Sequence, residues 1–212
     1  MTSKNSQFSN KVMTTWVIVV VCVIAVLGSK QFCESARTRS QSVESRVKGD
    51  EGAPVRIMEF MDFQCPACAS GALYLKQFMV EHPRAVRLEM KYFPLPMHRH
   101  GMESARYAEC ASRQGKFWLF HDYLVERQTQ WKDLIDARPA FMLMARDAAM
   151  DTKQLEVCLR DKSIDAVILK DKAEGKKLAV TSTPSYFVNG ETAVGKSQLE
   201  TKLKALLNDS KK

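Results

Sequence analysis

Residues 65–68 read Cys-Pro-Ala-Cys, two thiols separated by two residues. At this spacing the pair can close into a disulfide and reopen, so the chemistry on offer is thiol–disulfide exchange. The thiolate is the reactive form, and a helix N-terminus favours it through its partial positive charge. The flanking sequence supplies that setting. Residues 55–63 form a short apolar run without Gly or Pro, which reads as a buried strand. Cys68, Ala72, Leu75 and Met79 then recur at helical spacing and form one stripe. Pro66 suits a first helical turn, where its missing N–H has no partner in any case. The pattern predicts Cys65 at the helix start and Cys68 one turn in, on the apolar side, as the less exposed thiol. Pro66 and Ala67 lie between them.

Two other uses of such a pair fit less well. Half a zinc site needs a second close pair of ligands. Cys110 and Cys158 stand alone, and His82, His98, His100 and His121 are scattered without ligand spacing. A purely structural bridge across so short a loop would constrain the unfolded chain little. One carboxylate stands out on the strand ahead of the thiols. Under a period of two, Glu59 shares a strand face with Val55, Ile57, Met61 and Phe63 and is the lone ionisable group on it. Burial there would raise its pKa and let it act near neutral pH. A glutamate at the strand's end would instead reach solvent.

The chain has 212 residues, enough for one medium domain with an appendage. Its net charge of +8 is spread throughout, with no basic run interleaved with aromatics, so nucleic-acid binding is not indicated. At the N-terminus, Lys4 and Lys11 precede an uncharged stretch, 12–28, with a continuous apolar part at 16–27. That part is short for a spanning helix, which needs roughly 20 residues, and within range for a signal sequence. Residues 1–29 are therefore expected to be a cleaved signal peptide or an uncleaved anchor. Lys30, Arg37, Arg39, Arg46 and Lys48 lie beyond the stretch, so charge asymmetry does not set its orientation. Residues 30–52 are polar and read as a tether. Within it Cys33 could bridge two molecules or stay free, while Cys22 reads as a small hydrophobe.

The folded domain is expected over 53–212. Strict alternation of apolar and charged residues over 86–92 gives a second strand. Strand, helix and strand in so short a span imply a parallel crossover unit. Residues 97–173 are helical in pattern, with apolar spacings of three and four over 102–112, 117–127, 140–149 and 154–159. Asp151 with Gln154 resembles a capping box. Residues 185–188 and 191–194 flank Asn189-Gly190, which marks a hairpin. A final amphipathic helix is expected over 197–207. The order is βαβ, helical block, ββα: an α/β domain whose halves, 53–96 and 174–212, flank a helical insertion.

This order and several motifs resemble the DsbA-like branch of thioredoxin-fold disulfide oxidoreductases. The resemblance covers roughly 53–207. It rests on Glu59-Phe60 ahead of Phe63-Gln64-Cys65-Pro66-Ala67-Cys68, and on Phe93-Pro94-Leu95-Pro96 after the second strand. Gly115-Lys116-Phe117-Trp118, Phe120-His121-Asp122 and the run 180–190, with Thr183-Pro184-Ser185-Tyr186-Phe187, complete it. It implies a cis Thr183–Pro184 peptide beside Cys65, leaving the Thr183 backbone open to pair with an extended substrate; the alternative is an ordinary turn before the hairpin. It implies that Glu59 accepts and returns the proton of Cys68. Relatives often carry cysteines where Cys110 and Cys158 stand, which implies a structural disulfide between them; two buried free thiols are the alternative. Such a bridge requires an oxidising compartment.

The function so implied is exchange of disulfides with exported, cysteine-containing proteins, without a metal or organic cofactor, and with a membrane redox partner that resets the site. The expected location is the bacterial periplasm or cell envelope, with 12–28 a candidate inner-membrane anchor. A disulfide donor is the leading reading. The family's strongest oxidants carry His between the cysteines, so Ala67 predicts a less oxidising couple. An isomerase or reductase is the nearer alternative, and a non-enzymatic thioredoxin-fold chaperone the more distant one.

Overall fold

The computed structural model describes residues 46–209. The expected signal or anchor segment, Cys22, Cys33 and the tether up to residue 45 lie outside the described residues. No described helix is long and apolar enough to cross a membrane. Five strands and eight helices follow one another among the described residues. Strand β1 is Val47–Gly49 and β2 is Val55–Met61, followed by helix α1, Pro66–Glu81, and β3, Val86–Tyr92. Six helices come next: α2 Gly101–Ser112, α3 Phe117–Glu126, α4 Gln128–Trp131, α5 Arg138–Asp147, α6 Thr152–Arg160 and α7 Ser163–Lys177. The hairpin β4, Ser185–Val188, and β5, Glu191–Val194, leads into α8, Gly195–Asp209.

The strands form one sheet in the order β1-β3-β2-β4-β5. β2 and β3 are parallel, joined through α1, and the other pairs are antiparallel. This is the mixed α/β arrangement that the order of elements implied, and the thioredoxin-like fold that the resemblance implied. The alternation over 86–92 is seen directly in β3, where Val86, Leu88, Met90 and Tyr92 are buried and the residues between them half-buried. The hairpin turns through Asn189 and Gly190, both at positive φ (49° and 87°), the geometry for which Asn-Gly is suited. The Asn189 side chain ties that turn to β2, accepting from Arg56 N at 2.8 Å and donating to Pro54 O at 3.1 Å.

The sheet has two covered faces. On one, Val55, Ile57, Leu88, Tyr186 and Val188 pack with Leu75 and Phe78 of α1 and Leu199 and Leu203 of α8. On the other, Phe60 and Phe93 meet Val180 just past α7. Gly175 lets α7 come this close: a Cβ there would stand 2.8 Å from the Phe93 ring and 2.9 Å from Phe60. The helical block has its own core around Trp131, Phe141, Phe117 and Phe120, continuous with the residues about the thiols. Cys110 of α2 and Cys158 of α6 are joined by a disulfide, with Cα atoms 5.9 Å apart. Asp151 caps α6 by accepting from Lys153 N and Gln154 N.

Three of the differences in boundary from the sequence reading bear on the packing. The first strand stops at Met61, two residues short of Phe63, because Asp62 turns the chain toward α1. The helical block runs on through Lys177, past the expected limit at 173. The largest difference lies at 46–49, expected to be the end of a polar tether. These residues carry the edge strand β1, paired with β3, and Arg46 is 5% exposed. The guanidinium lies 4.6 Å from the centre of the Tyr92 ring and donates to Asp171 of α7. Glu109 of α2 stands 3.8 Å away. A three-residue strand is too short to show a period, and an arginine reads as solvent-facing until its distant carboxylates are in place.

Candidate active site

The site grows from the end of β2. Asp62 is buried and its carboxylate is filled: Oδ1 accepts from Gln64 N at 2.8 Å, and Oδ2 from Leu95 N at 2.7 Å and His98 Nδ1 at 2.8 Å. Its carbonyl accepts from Cys65 N at 3.0 Å. These bonds turn the chain so that Cys65 becomes the N-cap of α1, extended at φ −73° and ψ 120°, with Pro66 in the first turn. Cys65 is 8% exposed and Cys68, one turn in, is 0% exposed; both are free thiols. Asp62 N donates to Cys68 Sγ at 3.4 Å. Cys65 Sγ lies 3.4 Å from the carbonyl of Thr183, and the Thr183–Pro184 peptide is cis.

The two thiols have opposite acidities. Cys65 is held down at about 5, first by the hydrogen bond from the Cys68 thiol and then, against the cost of burial, by the Cys68 N–H, Thr183 and the Ala67 N–H. Cys68 is pushed well up, chiefly by burial and then by its donation to Cys65. At neutral pH the site therefore holds one thiolate at the start of α1 and one thiol a turn further in. That division suits stepwise exchange, since the attacking sulfur is charged and the second is kept in reserve.

Glu59 lies in a cross-sheet row with Met90 and Tyr186, on the sheet face that α1 covers. It is 1% exposed, and burial raises its pKa to about 7 against the opposing effects of the Tyr186 hydroxyl and the Lys48 ammonium. The Tyr186 hydroxyl fits because residue 71 is glycine: a Cβ there would stand 2.1 Å from it. Lys48 of β1 lies on the same face. Its Nζ sits 3.9 Å from the centre of the Trp118 ring, and burial lowers its pKa while Asp122 and Glu59 support its charge. His121 is buried between Phe63 and Trp118, with Nδ1 3.0 Å from Asp122 Oδ1, and burial lowers its pKa.

Among the residues singled out from sequence, Cys65, Pro66, Ala67, Cys68, Thr183 and Pro184 converge at the start of α1, with Glu59 in the sheet beneath. Cys110 and Cys158 lie apart, in the helical block. Sequence reasoning missed Asp62, Lys48 and two glutamines. Gln64 Nε2 donates to Lys132 O at 2.6 Å, and Gln64 Oε1 accepts from His100 N at 2.5 Å. Gln128 Nε2 donates to Phe63 O at 2.7 Å and Cys65 O at 3.0 Å. Asp62 could have been suspected from its place between a strand and a CxxC pair. Gln128 carries no signal, because its partners are main-chain oxygens more than sixty positions away.

Residues 41–209 match the family described as thioredoxin. Over 206 residues the chain is 27% identical to the Na(+)/H(+) antiporter NhaA 3 of Salinispora tropica, covering 92% of this chain and 30% of that protein. The chain thus spans under a third of the length of the antiporters it matches. It is 24% identical over 197 residues to a probable disulfide bond formation protein D of Bacillus cereus, covering 87% of this chain and 91% of the relative. Among solved structures, a thioredoxin-like oxidoreductase from Silicibacter pomeroyi superposes with a TM-score of 0.63 at 26% identity, covering 76% of this chain and 91% of the other.

Proposed function

The chain belongs to the thioredoxin family and is DsbA-like, and from that premise we propose that it is a protein thiol:disulfide oxidoreductase acting through Cys65 and Cys68. The observation that carries the reading is a pair of free thiols one turn apart, Cys65 at the N-cap of α1 beside the Thr183 carbonyl and Cys68 fully buried. In the donor direction the site begins as the Cys65–Cys68 disulfide. A substrate thiolate attacks Cys65 Sγ, the Cys65–Cys68 bond breaks, and Cys68 leaves as a thiolate that takes up a proton. Glu59, poised near neutrality, is the group suited to hand on that proton. A second substrate thiolate then attacks the substrate sulfur of the mixed disulfide, and Cys65 leaves as a thiolate. The substrate loses two electrons and two protons, and the dithiol so formed is reset by an oxidising redox partner.

A low Cys65 pKa stabilises the dithiol form, which favours a disulfide donor over a reductase. The Thr183 carbonyl, 3.4 Å from Cys65 Sγ, is the group we assign to pairing with the main chain of an extended substrate. Exported, cysteine-containing proteins are the substrates proposed, in an oxidising envelope compartment. The test is equilibration of the full chain in glutathione buffers, followed by alkylation of the free thiols. A donor reaches half-oxidation in buffers far more oxidising than those that half-oxidise thioredoxin, near −270 mV. A midpoint near thioredoxin's overturns the donor direction. Replacement of Cys65 by Ser must abolish exchange; activity that survives it overturns the enzymatic reading.

A further inference from the structure

We propose that Gln128, in the helical block, is a positioning residue for the reaction: its side-chain amide clamps the Cys65 loop so that the sulfur keeps its place against the start of α1 and Thr183. The inference rests on the reading of Cys65 and Cys68 as the exchanging pair. It begins with Pro66. A peptide unit is ordinarily held through both its N–H and its carbonyl, but the Cys65–Pro66 unit has no N–H. Its carbonyl is the single polar handle, and within α1 it accepts from Cys68 N at 3.1 Å and Ala69 N at 3.2 Å. Gln128 Nε2 adds a donor from outside the helix at 3.0 Å, and the same nitrogen donates to Phe63 O at 2.7 Å. Gln128 is 5% exposed, so both bonds are shielded from water.

The opposite side of the loop is held by Asp62, which accepts from Gln64 N and Cys65 N. Every peptide unit from Phe63 to Pro66 is therefore fixed, by Asp62 on one side and Gln128 on the other. The clamp has a rigid base. Trp131, at the far end of α4, is 0% exposed, donates from Nε1 to Leu124 O at 3.0 Å and packs on Phe141 with ring centres 5.0 Å apart. The loop also grips back, since Gln64 Nε2 donates to Lys132 O directly after α4. The main-chain angles of Cys65 decide where Sγ lies relative to the Ala67 and Cys68 N–H groups. Loss of the outside donor leaves the buried Phe63 carbonyl without its partner and removes one of three donors from the Cys65 carbonyl, so the loop must shift to recover them.

The test is a pair of variants in the full chain, Q128M and Q128N. Met matches the volume of Gln and donates nothing; Asn keeps the amide on a shorter stem. Cys65 is titrated by thiolate absorbance in reduced protein without any disulfide substrate, and each variant is then equilibrated with glutathione. For Q128M the expected result is a rise of about one pKa unit with a roughly tenfold less oxidising equilibrium constant. Q128N should fall between Q128M and the parent, and reads the clamp if Q128M does not fold. A folded Q128M that titrates and equilibrates like the parent overturns the proposal and leaves the contact merely structural. Failure of the parent chain to exchange with glutathione would overturn the proposed function instead, while the titration still reads the clamp.

Discussion

At the scale of single residues, the site depends on pushing neighbouring groups in opposite directions. Cys65 collects hydrogen-bond donors and is stabilised as a thiolate; Cys68 and Glu59 are buried and favour their neutral forms. Glu59 yields a test with a definite sign. Its folded pKa of about 7 lies above the ordinary 4.5, so the folded state binds this proton more tightly than the unfolded one. Stability is then lost as pH rises from 4.5 through 7, and the full penalty stands above that. E59Q removes the ionisation, so denaturant unfolding should show the variant gaining on the parent by roughly 3 kcal/mol between pH 4 and pH 8. A gap that does not widen with pH would mean Glu59 is not desolvated. The same variant should slow exchange, as the carrier proposed for the Cys68 proton is gone.

At the scale of elements, β1 shows how much three residues can do. It joins the sheet only through β3, and it anchors two buried cations: Arg46, just before it, pairs with Asp171 and Glu109, and Lys48 within it is supported by Asp122 and Glu59. Burial pushes Glu109 up to about 7, against the nearby charges of Arg46 and Arg113. Removing one member of a buried ion pair costs more than the pair contributes, since the other charge stays behind undressed. Urea denaturation at pH 8 of R46A should therefore show a loss of about 3 kcal/mol. Amide exchange of Val47 and Lys48 should accelerate in parallel. A loss of only a few tenths would place Arg46 in water.

At the scale of the molecule, the sheet supplies Glu59, α1 the thiols, the turn before β4 the Thr183 carbonyl, and the helical block the amide of Gln128. The block must hold its own shape to do this, and the Cys110–Cys158 bridge ties its first helix, α2, to α6 across 48 positions. In the chain-entropy treatment, closing such a loop is worth roughly 3–4 kcal/mol. The double variant C110A/C158A should lower the unfolding free energy by about that much while the Cys65 titration stays in place. If the titration also moves, the bridge holds the clamp as well as the block.

Much of this protein is legible in its sequence because the information is local. The alternation in β3, the stripe of α1, the Asn-Gly hairpin and the Cys-Pro-Ala-Cys pair are each decided by residues within a turn or two, where periodicity and backbone sterics act. Glu59 stood out for a similar reason, as one carboxylate on an apolar face. What tertiary structure alone decided is which distant groups meet. Arg46 and Lys48 read as tether because their partners lie in β2, β3, α2, α3 and α7. Gln128 reads as an ordinary polar residue because it bonds to main-chain carbonyls, which every residue carries and no side-chain pattern can encode. Sequence thus determined the reacting atoms and the elements that bear them. The folded arrangement decided how firmly those atoms are held, because hydrogen bonds and buried charges depend on distances that only packing sets.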